Sequence, residues 1–184
     1  MDTFFYDYFD KIKSHLDLVN QSELENFANI IIETQNNKNK VIVVGNGGSS
    51  AISSHISIDL TNAAKIRAVS FNDPAVITCF SNDFGYENWV KKALQYYADR
   101  GDLLILISSS GQSKNMIVGA DYAKNIGINV ATLSGFSPNN PLREKGDVNL
   151  WVGSTEYNIV EMVHNIWLLS VVDYIIDLND RRGK

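Results

Sequence analysis

The hydrophobic positions of this chain change rhythm near residue 40. Before that point they recur at helical spacing. Phe5, Phe9, Ile12, Leu16 and Val19 share one face, and Phe27, Ala28, Ile30 and Ile31 share another. Ser22 and Glu25 form an S-x-x-E capping box ahead of the second group, which predicts a helix start there. The run Asn36-Asn37-Lys38-Asn39 then breaks the pattern. From Lys40 onward, short apolar runs rich in Val, Ile and Leu alternate with helical stretches. The runs are Val41–Val44, Ile66–Val69, Leu103–Ile107, Ile128–Leu133 and Val148–Val152. Continuous apolar strands are buried on both faces, as in a parallel sheet flanked by helices. The pattern therefore predicts an α/β fold, a doubly wound five-stranded parallel sheet with an N-terminal helical arm. It reads as one domain over 1–184, with helices in 1–39 and the α/β core in 40–184. Asp73 followed by Pro74 predicts the cap and first turn of a short helix. A long final helix is expected from about Tyr157 to Leu178.

Composition narrows the classes of function. With 16 basic and 21 acidic residues the net charge is −5, which disfavours nucleic acid and anionic membrane as partners. No stretch approaches the ~20 uncharged apolar residues of a membrane span. The opening MDTFFYDYFDKIK lacks a cleavage-site pattern, so no secretory leader is expected. One cysteine, Cys79, excludes an internal disulfide and points to a reducing, cytoplasmic setting. With no base beside it in sequence, Cys79 reads as a buried thiol. Trp89, Trp151, Trp167 and the Tyr96-Tyr97 pair read as core or interface, not as a base-stacking platform.

Two loops carry the candidate chemistry. Gly45-Asn46-Gly47-Gly48-Ser49-Ser50 follows the first strand, and Ser108-Ser109-Ser110-Gly111-Gln112-Ser113 follows the third. Each opens a helix, and a helix N-terminus offers unpaired N–H groups and a partial positive charge to an anion. Serine hydroxyls add donors without bulk, and glycine lets the backbone come close. The pair reads as a phosphate cradle. Neither loop has the lysine of a P-loop. Ser50 stands where a dinucleotide fingerprint needs glycine or alanine. Gly47-Gly48-Ser49-Ser50-Ala51 only approximates a hydrolase elbow.

Taken in order, Gly45-Asn46-Gly47-Gly48-Ser49, His55, Asp59-Leu60-Thr61, Asn82-Asp83-Phe84-Gly85 and Ser108–Ser113 resemble the sugar isomerase (SIS) family, most of all its phosphoheptose isomerase branch. The resemblance implies conversion of sedoheptulose 7-phosphate to glycero-manno-heptose 7-phosphate by a homotetramer with active sites shared between subunits. It implies that Ser108, Ser109, Ser110 and Ser113 hold the sugar phosphate. Asn46, Gly47, Gly48, Ser49 and Asp83 are then expected at or around the sugar hydroxyls. It also suggests zinc, since many members bind it. His55 falls on the first zinc ligand and Asp59 on the family's glutamate. Glu161 takes the place of a glutamine, the second zinc histidine falls on Leu169, and an arginine falls on Ala63.

These departures leave a different acid–base set to be read from the residues. His55 and Asp59 share a helix face at i,i+4, and Glu161 and His164 share one at i,i+3. Asp59 or Glu161 can serve as the base of an enediol isomerisation, with His55 or a bound cation as the electrophile. His55, Asp59, Glu161 and a water would make a three-ligand catalytic zinc site. The alternative is a non-catalytic SIS protein that binds a sugar phosphate or a protein partner, as in the family member that associates with a replication initiator.

Overall fold

In the computed structural model, residues 3–182 are described, and they form five strands and seven α-helices. The chain runs α1 (Phe4–Leu16), α2 (Gln21–Asn36), β1 (Val41–Gly45), α3 (Gly48–Asn62), β2 (Ala68–Ser70), α4 (Pro74–Phe84), α5 (Trp89–Tyr97), β3 (Leu103–Ser108), α6 (Lys114–Asn125), β4 (Asn129–Gly135), β5 (Val148–Val152) and α7 (Tyr157–Arg182). All pairings are parallel and the strand order is β2-β1-β3-β4-β5.

The continuous apolar runs have the expected cause. Along β1, Val41 and Val43 face one core while Ile42 and Val44 face the other. Along β3, Leu103, Ile105 and Ile107 take the first side and Leu104 and Leu106 the second. The first core is closed by Phe27 and Ile31 of α2, Ile52, Ile56 and Leu60 of α3, and Val160, Val163 and Trp167 of α7. The second is closed by Trp89, Val90 and Leu94 of α5 and by Met116, Ala120 and Ala123 of α6. Burying each such aliphatic side chain contributes roughly 1.5–3 kcal/mol.

Several local expectations shift. The capping box of α2 is built from Asn20 and Glu23, not Ser22 and Glu25. The Asn20 side chain accepts from the Ser22 N–H at 3.1 Å, and its own N–H donates to Glu23 Oε2 at 3.1 Å. Strand β2 begins two residues later than read, because pairing starts at Val41↔Ala68. Asp73 does cap α4, accepting from the N–H of Ala75 at 2.8 Å and of Val76 at 3.2 Å. Cys79 is exposed on the outer face of α4. That helix packs inward through Val76, Ile77 and Phe80 instead. By length and a mean hydropathy of 1.5 over its most apolar stretch, α7 would suffice to cross a membrane. Half of that stretch is buried here against the molecule's own core.

Candidate functional site

The strand order reverses between β1 and β3, and ligands in such sheets bind at the carboxyl ends of the strands beside that reversal. The two Ser/Gly loops leave β1 and β3 at that edge, so the two sides of the crevice are the two loops singled out in the sequence. Gly47 caps α3 at φ +55°, a left-handed conformation that glycine adopts without strain. Gly111 turns the serine loop at φ +65°. A methyl group there would run into the side chain of Asn140, which donates to Ser134 Oγ at 3.0 Å and to the Gly135 carbonyl at 3.2 Å.

Between the loops lies a cleft of about 100 Å³ lined by Asn46, Ser49, Ile107, Ser108, Ser109, Ser110, Ser113, Tyr157 and Glu161. Within it Ser108 Oγ donates to Ser113 Oγ at 3.2 Å, and Ser110 Oγ accepts from the Gln112 N–H at 3.2 Å. Asn46 is held by a reciprocal amide pair with Asn115, both bonds at 3.0 Å, and its carbonyl oxygen also accepts from Tyr86 O–H at 3.1 Å. Asn46 and Ser113 also border a second, more open compartment of about 210 Å³ with Tyr86, Glu87, Lys114 and Asn115.

One carboxylate lines the cleft. Glu161, on the second turn of α7, reaches over Gly48 and lines the cleft beside the Ser109 hydroxyl. Withdrawal from water raises its pKa above the ordinary glutamate value of 4.5, and the Ser109 hydroxyl opposes part of that rise. Ordinary carboxyls are poor bases at neutral pH, and a raised pKa improves the match.

The other acid–base candidates stand elsewhere. His55 Nε2 and Asp59 Oδ2 pair at 3.3 Å on a half-exposed face of α3, and neither lines the cleft. Asp83 lies on the exposed face of α4, accepting from Asn82 Nδ2 at 2.8 Å. His164 is fully buried. Its Nε2 meets the Ser134 carbonyl at 3.0 Å, so that nitrogen carries the proton, and burial lowers its pKa to about 4. It therefore stays neutral and outside the cleft. Leu169 packs half-buried against the first core, and Ala63 is exposed at the end of α3.

The zinc set read from the sequence is not gathered within one chain. The His55–Asp59 pair and Glu161 contact different partners, and among the described residues no three His, Cys, Asp or Glu side chains gather where they could hold a metal ion. The donors of a single chain do not fit a three-ligand zinc site. Asn115, Tyr86 and Tyr157 border the site without having been singled out. Asn115 and Tyr86 reach it only through tertiary contacts, which leave no trace in local spacing.

Comparison with known proteins places this fold in a known family. The SIS domain family model matches residues 5–135. A phosphoheptose isomerase of Campylobacter concisus is 31% identical over 163 residues, covering 85% of each chain. One from Aliarcobacter butzleri is 33% identical over 150 residues, covering 78% of this chain and 79% of its own. The solved structure of a phosphoheptose isomerase from Francisella tularensis superposes with a TM-score of 0.87 at 23% identity, covering 96% of this chain and 100% of that one.

Proposed function

The chain belongs to the SIS-domain family, on its phosphoheptose isomerase branch, and from that premise we propose that it interconverts a ketose phosphate and the matching aldose phosphate. Sedoheptulose 7-phosphate going to glycero-manno-heptose 7-phosphate is the reaction the relatives' name supports. The observation that carries the reading is the position of Glu161: a partly buried carboxylate beside a four-serine loop, in a cleft at the edge of the sheet.

The chemistry follows from that arrangement. The phosphate lies among Ser108, Ser109, Ser110 and Ser113, at the start of α6, where hydroxyls and free backbone N–H groups face it. Glu161, as carboxylate, takes the proton from carbon 1 of the ketose. The C–H electron pair becomes the C1=C2 bond of an enediol, and the former carbonyl oxygen takes a proton from solvent water. Glu161 returns its proton to carbon 2 while the oxygen on carbon 1 gives its own back to the resulting hydroxide, which yields the aldose. One carboxylate serves both transfers, and the atoms balance with no redox partner. Charge developing on oxygen is met by the N–H groups and hydroxyls at the start of α3, where Ser49 is buried against the cleft. No step is routed through zinc.

Self-association belongs to the same proposal. Phe4, Phe5 and Phe9 of α1 are 60%, 71% and 61% exposed, and Ile58 of α3 and Met162 and Ile166 of α7 are also bare. Apolar surface of this kind supports a homotetramer, which sedimentation tests. A surface thiol without a disulfide partner supports a cytoplasmic home. The non-catalytic alternative gains least from a carboxyl whose pKa is raised inside the cleft. The deciding experiment incubates the protein with sedoheptulose 7-phosphate in deuterated water. Deuterium entering carbon 1 or carbon 2 is the expected result. Absence of exchange, with sugar-phosphate binding intact, would give the chain to the binding-only class.

A further inference from the structure

Two residues one helical turn apart on α7 meet the ends of two neighbouring strands. Glu161 lines the cleft beside the hydroxyl of Ser109, the first residue after β3. His164 donates from Nε2 to the carbonyl of Ser134, which pairs in register with Ser108 at the end of β4. The segment between these contacts is tight. At Gly135 an added Cβ would lie 2.8 Å from Val160 of α7 and 3.0 Å from the Ser109 carbonyl, so the strand end is wedged between the helix and the serine loop. Asn140 holds the same strand end from the other side.

His164 is a costly choice for this place. It is wholly buried, and among the described residues its Nδ1 has no partner. An aliphatic residue of similar size would fill the space and leave no orphaned nitrogen. What the imidazole adds is one directed bond to a fixed point on the sheet. Its neutral state and its burial keep it from exchanging protons with a substrate.

We propose that His164 is a positioning residue: its bond to Ser134 sets where the opening turns of α7 sit against the serine loop, and so where the Glu161 carboxylate stands relative to the bound sugar phosphate. The inference rests on the isomerase reading above, but its geometry can be tested without turnover.

The test uses three variants of the full chain. Glutamine places an amide nitrogen near the position of Nε2, asparagine places one near Nδ1, and leucine places none. H164Q is expected to keep kcat within about threefold of the parent. H164N and H164L are expected to lose about ten- to a hundredfold in kcat, the scale of a misplaced catalytic group. KM for the ketose phosphate and inhibition by inorganic phosphate should change by less than about twofold, because the serine loop is untouched. Carbon-13 NMR titration of the Glu161 carboxyl reads the same geometry with no substrate present. It should titrate above the ordinary glutamate range in the parent and in H164Q, and move back toward that range in H164N and H164L. Parent-like titration and turnover in H164N and H164L would overturn the proposal. So would H164Q failing as badly as they do. A parent protein that shows the titration pattern but turns over no ketose phosphate would instead refute the isomerase reading.

Discussion

Replacing Gly48 by alanine should separate activity from stability. Gly48 is the first residue of α3 and has helical backbone, so alanine meets no conformational objection there. In a helix, alanine is favoured over glycine by roughly 0.5–1 kcal/mol. The obstacle is the carboxylate proposed as the base. A Cβ at this position would collide with Glu161, standing 2.6 Å from its Cδ and 2.8 Å from Oε1, where ordinary contact begins near 3.4 Å. The carboxylate is the free end of a flexible side chain, so it is what yields. It must retreat by roughly 1 Å, and displacements on that scale cost about 100-fold in rate. Drawing the carboxylate away from the Ser109 hydroxyl offsets part of the helix gain. The expected variant unfolds in urea within about 1 kcal/mol of the parent and washes deuterium into the sugar about 100-fold more slowly. Gly47→Ala isolates the backbone effect on stability. Nothing stands within 4 Å of its added carbon, but φ is +55°, so stability should fall by about 1 kcal/mol. An alanine at position 48 that turns over at the parent rate would refute the placement of Glu161 as the base.

Further outcomes follow from the same geometry. Glu161→Gln should reduce deuterium exchange by about 10²–10⁴-fold while inorganic phosphate still binds the serine loop, as calorimetry would show. Because burial raises the Glu161 pKa, the acid limb of the kcat profile should lie above the ordinary value of 4.5, with activity falling as pH drops through it. The fold also holds that proton longer than the unfolded chain does, so ionising Glu161 removes a little stability as pH rises through the same point. His164 acts in the other direction. Its pKa falls from 6.5 to about 4 in the fold, so between those values the unfolded chain binds the extra proton. Stability should therefore decline by about 3 kcal/mol as pH drops through that window and level off below it, and H164Q should flatten the decline in urea titrations. Gly111→Ala should destabilise by about 2 kcal/mol or more in thermal unfolding, since it combines a left-handed φ with a collision against Asn140.

How far the sequence was legible depends on the range of the forces involved. The sheet was readable because strands buried on both faces favour unbroken aliphatic runs, and β1 and β3 have them. The serine and glycine loops were readable because a tight turn into a helix start demands those residue types locally. What was not legible depends on neighbours distant in sequence. That Glu161 would meet Ser109 while His55 and Asp59 met only each other depends on how α3 and α7 pack. His164 shares a helix face with Glu161, yet its ring turns to a carbonyl of β4, which spacing alone cannot show. Cys79 reads as buried because thiols are usually inside, whereas α4 turns Val76, Ile77 and Phe80 inward and leaves the thiol exposed. The shifted capping box shows the same limit at short range. Asn20 and Ser22 are both good caps, and the chain's approach to α2 selects between them.

The two walls of the cleft answer to separate foundations. The serine loop runs into α6, seated in the second core, whereas Ser49 and Glu161 ride on α3 and α7, seated in the first. A void opened under Met116 or Ala120 would loosen the anchorage of the anion, and one under Ile56 or Val163 would loosen the base. Damage deep in either layer should thus leave its own kinetic fingerprint, in KM for the one and kcat for the other, far from any residue that touches the sugar.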